Sequence, residues 1–108
     1  MNSITNTAME RLDDMREGLH KARSGLIRVL LRTDGKEIID IIISGDFILS
    51  PEHYIDEMEK ALLGVEAERE KVLRKIQEFY KENTFQSPQT YPEDFTEAIM
   101  KALEQKNG

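Results

Sequence analysis

The chain contains no cysteine. That one absence excludes disulfides, thiolate zinc sites, iron–sulfur ligation and cysteine nucleophiles together. Histidine is nearly as scarce: His20 and His53 lie far apart, and no histidine–carboxylate cluster has metal-ligand spacing. Long hydrophobic runs are missing. Stretches such as Ile41 to Ile43 fall far short of the roughly 20 apolar residues that span a bilayer. The polar, acidic N-terminus holds no apolar signal-peptide core, so no membrane partner is expected and the expected compartment is the cytoplasm. There is no basic excess either. Fifteen Lys and Arg against twenty-one Asp and Glu give a net charge of −6, which offers no basic face to nucleic acid. Gly18, Gly25, Gly35 and Gly45 lack the spacing of a phosphate-binding loop or a dinucleotide fingerprint.

What is present suits one soluble globular domain over residues 1–108, with 39% apolar and 33% charged residues. Thr7 and Glu10 form a capping-box pattern, and Ala8, Leu12, Met15 and Leu19 recur at helical spacing, so a helix is expected there. From Gly25 the period changes to two. Leu26 to Arg32 and Glu37 to Ser44 read as an antiparallel hairpin around Thr33-Asp34-Gly35. A two-residue turn would set Val29 opposite Asp40. A three-residue loop ending in Gly35 sets Arg28 opposite Asp40 and gathers Ile27, Val29, Leu31, Ile39 and Ile41 on one face. Because a lone buried carboxylate is costly, the second register is preferred.

Ile48 and Leu49 offer a short third strand. Ser50 and Pro51 suit the N-cap and first position of a helix that carries Ile55, Met58 and Leu62 inward and stops at Gly64. A second helix is expected from Val65 to about Lys81, with Val72, Ile76 and Phe79 inward. After a polar loop, a last helix begins at Pro92 and packs Phe95, Ile99, Ala102 and Leu103. The expected fold class is therefore α+β: an N-terminal helix, a hairpin with the optional third strand, then three helices.

Few residues invite chemistry. The acidic pairs Asp13-Asp14, Glu57 with Glu59, Glu66 with Glu68, and Glu93-Asp94 fall on expected solvent faces of helices. Glu93 and Asp94 also suit a helix N-terminus. Arg28 and Arg32, with Lys21 and Arg23 upstream, form either a small anion-facing patch or an Arg28–Asp40 pair among solvated neighbours. Gly45-Asp46-Phe47 reads equally as core packing after a turn glycine or as a loop that presents a phenyl ring to a partner. The hairpin's second face, with Leu26, Leu30, Ile38 and Ile42, also looks apolar, and an uncovered apolar face would be an association surface.

Residues Lys21 to Leu63 resemble the C-terminal domain of lipoate–protein ligases. The resemblance is carried by Lys21-Ala22-Arg23-Ser24-Gly25-Leu26-Ile27-Arg28-Val29, by Asp34-Gly35 with Ile38-Ile39-Asp40-Ile41, and by Ile43-Ser44-Gly45-Asp46-Phe47. Pro51-Glu52, Glu59 and Leu62-Leu63-Gly64 follow in the family's order, and Pro92-Glu93-Asp94-Phe95 continues it more weakly. In that family a large domain binds lipoate and ATP and holds the catalytic lysine; this chain has no counterpart to it. The resemblance thus implies the separate small subunit of a ligase split into two polypeptides, as in some archaea. It implies no activity for the chain alone and no cofactor bound by it, with ATP and lipoate used by the complex. The implied role is the activation of lipoate to lipoyl-AMP, less the transfer to acceptor domains. The implied partner is the catalytic large subunit, with lipoyl acceptor domains met indirectly. Lys21, Arg28, Gly45, Asp46 and Phe47 are the candidate partner-binding residues. The alternative is a stand-alone adaptor similar to iron–sulfur scaffold folds, which place a cysteine near the end of this hairpin, where this chain has none.

Overall fold

The computed structural model describes residues 15–105. Three strands, β1 (Arg16–Ala22), β2 (Gly25–Thr33) and β3 (Ile38–Gly45), precede three helices, α1 (His53–Leu62), α2 (Arg69–Glu82) and α3 (Pro92–Glu104). The strands form an antiparallel meander in the order β1-β2-β3. One sheet face supplies the core through Ile27, Val29, Leu31, Ile41 and Ile43. Met58 and Leu62 of α1, Val72, Ile76 and Phe79 of α2, and Phe95 and Ile99 of α3 complete that core.

The helix α3 lies directly on β1. A Cβ at Gly18 would stand 2.0 Å from the Ala98 carbonyl oxygen and 2.4 Å from the Ala102 nitrogen, so only glycine admits this approach. The contact is fastened at both ends. Arg16 donates to the Leu103 carbonyl at 3.1 Å, and His20 Nε2 lies 2.9 Å from Asp94 Oδ1.

Several sequence expectations need correction. Leu19 does not continue a helix: it lies in β1, where Glu17, Leu19 and Lys21 alternate with the inward Gly18 and Ala22. The rest of the expected N-terminal helix, from Thr7 to Asp14, lies outside the described residues. The third strand is β1 rather than Ile48–Leu49. Ser50 instead exchanges backbone hydrogen bonds with Gln86, and α1 starts three residues later at His53. The helix expected from Val65 begins at Arg69, because Val65 and Ala67 bond to Ile38 and Lys36 of the hairpin.

The hairpin register also differs. Asp40 opposes Arg32, and Arg28 opposes Ser44. The loop takes four residues, Asp34 to Glu37, because the Asp34 carboxylate accepts from the backbone N–H groups of Lys36 and Glu37 at 2.9 and 2.8 Å. The irregularity then falls inside the strand. Thr33 opposes Ile38 while its neighbour Arg32 opposes Asp40, so Ile39 is the extra residue, and it is exposed while Ile38 is buried. Asp40 does meet an arginine across the strands, but not Arg28.

Both sheet edges carry a side-chain plug. Glu59 of α1 accepts from the Ile43 N–H at 2.7 Å, and Gln105 accepts from the Glu17 N–H. Burial raises the Glu59 carboxyl above its ordinary value, against the lowering effect of the Ile43 N–H, and nearby Asp56 pushes the same way as burial. A raised carboxyl means the folded chain holds this proton more tightly than the unfolded chain. Its contribution to stability is full below the unfolded pKa and is lost as pH rises through the folded one.

Three substitutions test these contacts. Gly18→Ala is expected to cost roughly 1–3 kcal/mol in urea denaturation, since α3 must move off β1 to admit the methyl group. Glu59→Gln retains an acceptor for Ile43 and removes the titration, so its stability relative to the parent chain should rise from acid to neutral pH. Glu59→Leu strands the Ile43 N–H and should lose about 1–3 kcal/mol at neutral pH.

Candidate functional site

The two segments singled out in the sequence, Lys21 to Val29 and Ile43 to Phe47, converge at one corner of the sheet. The Asp46 N–H donates to the Leu26 carbonyl at 2.8 Å. Gly45 has φ +145°, and a Cβ there would lie 2.0 Å from the same carbonyl oxygen. Gly25, at φ +143°, faces Asp46 so closely that a Cβ would come within 2.9 Å of the Asp46 Cβ. Gly45 is therefore required by backbone meeting backbone and Gly25 by the crowding of Asp46 Cβ, both in a region of φ that other residues avoid.

Around this corner the candidate residues take different parts. Phe47 is buried, and its ring stands edge-on to Phe95 with centroids 5.2 Å apart. It packs the core beneath the corner, while the Asp46 side chain above it is exposed. Lys21 is exposed and pairs in register with Leu26, whose carbonyl holds Asp46. Arg28 sits two residues further along β2 and forms an ion pair with Glu17 of β1, not with Asp40. Both partners are well exposed, so this pair adds little stability.

A hydroxyl chain that sequence reasoning missed supports the corner from behind. The Ser24 N–H donates to the Gln89 carbonyl at 3.3 Å, and Ser24 Oγ meets Thr90 Oγ1. Ser87 Oγ donates to the Thr90 carbonyl at 2.7 Å, and Tyr80 Oη lies 2.9 Å from Ser87 Oγ. Burial pushes the Tyr80 phenol up to about 12, so it stays neutral across the physiological range. The clue in the sequence was the run of hydroxyl residues in the polar loop, Ser87 and Thr90; their partner Ser24 is too distant in the chain to be read from spacing. Asp94 was missed in the same way. Expected on a solvated face, it is largely buried, accepts from the Tyr91 N–H at 2.9 Å as a helix cap, and meets His20.

The opposite face of the sheet is the second notable surface. Leu19, Leu26 and Ile42 are 44%, 38% and 42% exposed there, beside the half-buried Leu30. Ile38, expected on this face, is turned inward by the strand irregularity. Among the described residues, no group of three His, Asp or Glu side chains could hold a metal ion, and no helix is long and apolar enough to cross a membrane. What the arrangement offers is a shaped corner and an apolar sheet face, suited to binding a macromolecule.

Comparison with known proteins identifies related chains. Residues 17–99 match the family model described as bacterial lipoate protein ligase C-terminus. Lipoate-protein ligase A subunit 2 from Thermoplasma acidophilum is 44% identical over 79 residues, covering 73% of this chain and 81% of the relative. A solved structure of an archaeal lipoylation system, a bi-partite lipoate protein ligase and its E2 lipoyl domain from the same organism, contains a chain 42% identical to this one. The two superpose with a TM-score of 0.71 over 79% of this chain and 93% of that one.

The corner generates its own expectation. Gly45→Ala places a methyl group against the Leu26 carbonyl at a φ that alanine avoids. Its melting temperature should fall by several degrees, corresponding to roughly 1–3 kcal/mol.

Proposed function

The chain belongs to the lipoate protein ligase C-terminus family, and from that premise we propose that it is the non-catalytic accessory subunit of a two-part lipoate–protein ligase. Together with a catalytic subunit it would support ATP-dependent activation of lipoate to lipoyl-AMP. The observation that carries this reading is the likeness, in sequence and fold, to a relative that is itself a separate ligase subunit and is matched over most of its length.

In the activation step a lipoate carboxylate oxygen attacks the α-phosphorus of ATP. An acyl–phosphate bond forms, the bond to the β-phosphate bridging oxygen breaks, and pyrophosphate leaves. The reaction demands that two anionic groups be held in line while water is excluded. A small partner can meet that demand by ordering the catalytic subunit's loops over the site, without supplying a reacting group. The residues of this chain suit such a role. Gly25, Gly45 and Phe47 fix the corner, and Lys21, Arg28 and Asp46 stand exposed around it as the groups that would touch the partner. Transfer of the lipoyl group to an acceptor lysine begins from the finished adenylate, and so depends less on this ordering.

The test is pyrophosphate release from ATP and lipoate by the catalytic subunit encoded in the same genome, with and without this chain. Release that needs both chains supports the accessory role; an equal rate without this chain refutes it. The chain alone should form no lipoyl-AMP. Asp46→Ala, at an exposed position, should leave folding intact and slow adenylation several-fold, while transfer from preformed lipoyl-AMP stays near the normal rate.

A further inference from the structure

An antiparallel sheet with one face in the core usually turns polar residues to water on the other. Here the outward positions of the central strand read Leu26, Arg28, Leu30 and Arg32. Leu19 of β1 and Ile42 of β3 extend the apolar surface to either side. We propose that the catalytic subunit docks face-on across this outer sheet surface, through an apolar patch bordered by carboxylates. The inference rests on the accessory-subunit reading and adds to it the surface and the chemistry of the contact.

Charge selects the occupant. The chain carries a net charge of −6, yet this face holds three cations, Lys21, Arg28 and Arg32, against two acids, Glu17 and Asp40. Glu17 is already engaged by Arg28. Arg32 lies across from Asp40. Lys21 is exposed at the rim of the face, where its ammonium favours a carboxylate brought by a partner. The rest of this acidic chain repels such a partner, so the same charges orient its approach.

A second copy of this chain fits less well. Stacking two such faces would set the arginines of one central strand near those of the other. Three strands about 4.8 Å apart and about 25 Å long also present only some 350 Å² per copy. A standard interface buries roughly 800 Å² per partner. A catalytic subunit that covers the face and continues over the adjoining Asp46 corner can reach that size.

Binding of the full-length chain to the catalytic subunit from the same genome, measured by titration calorimetry at low and moderate salt, tests the proposal. The double variant Leu26→Ser with Ile42→Ser alters only exposed side chains, and its circular dichroism and melting curve check that it folds. Its affinity should fall by at least about tenfold. Arg28→Glu should weaken binding and flatten its salt dependence, while Glu70→Lys, on the exposed surface of α2, should not. Parent-like affinity in the folded double variant would overturn the proposed surface while leaving the functional reading standing. A parent chain that fails to bind the catalytic subunit would refute both. A parent dimer that the double variant converts to monomer would assign the face to a second copy. A tenfold gain in affinity on removing residues 1–14 would assign it to this chain's own N-terminal segment. Either of those results overturns the proposal.

Discussion

The close approach of α3 to β1 is the contact on which the rest of the molecule depends. It joins the last helix to the first strand, and so closes the chain around its core. Gly18 allows the approach by having no side chain, and Ala98 and Ala102 keep the helix surface flat where it meets the strand. Held at that distance, Phe95 and Ile99 reach the core formed by β2 and β3. The flanking bonds, Arg16 to Leu103 and His20 to Asp94, then fix the helix along its axis. Each bond is modest by itself. Their value lies in setting one depth and one rotation for α3, which dense packing of the core demands.

From that frame the candidate site follows as a matter of geometry. Because α3 fixes Phe95, the Phe47 ring has a defined partner, and the turn above it has a defined height. The hydroxyl chain from Tyr80 through Ser87 and Thr90 to Ser24 ties the β1–β2 turn to the loop before α3. The corner is thus braced by core packing below and polar bonds behind. Its exposed residues are presented by rigid surroundings, which suits recognition of a partner better than a mobile loop would.

How far this was legible in the sequence depended on whether the signal was local. The period of two in Leu26 to Arg32 identified a strand, and Pro92 followed by two acids identified a helix start, because each is decided by neighbours in the chain. The strand β1 is hidden in the sequence because its inward residues are Gly18 and Ala22, which fill space at a close contact without announcing themselves as hydrophobic. Its most apolar residue, Leu19, points to solvent. The hairpin register is not local information: Asp34 organises a four-residue loop and Ile39 absorbs the mismatch, a division of labour that composition does not reveal. The segments at the corner were recognised separately. Their meeting, through the Leu26 carbonyl and two crowded glycines, is a long-range fact.

The pairing of Arg16 with Leu103, and of Glu17 with Gln105, brings the two ends of the folded unit within hydrogen-bond reach of each other. A unit whose entry and exit lie side by side can be joined to another polypeptide by a single short tether without rerouting its own chain. It keeps the same shape whether it is covalently attached or free. A covalent tether to a partner makes their meeting intramolecular and lends it an effective concentration; without one, the surface contact alone must supply that proximity. Assembly of any two separate polypeptides depends on how much of each is made, a form of control that a single fused chain does not possess.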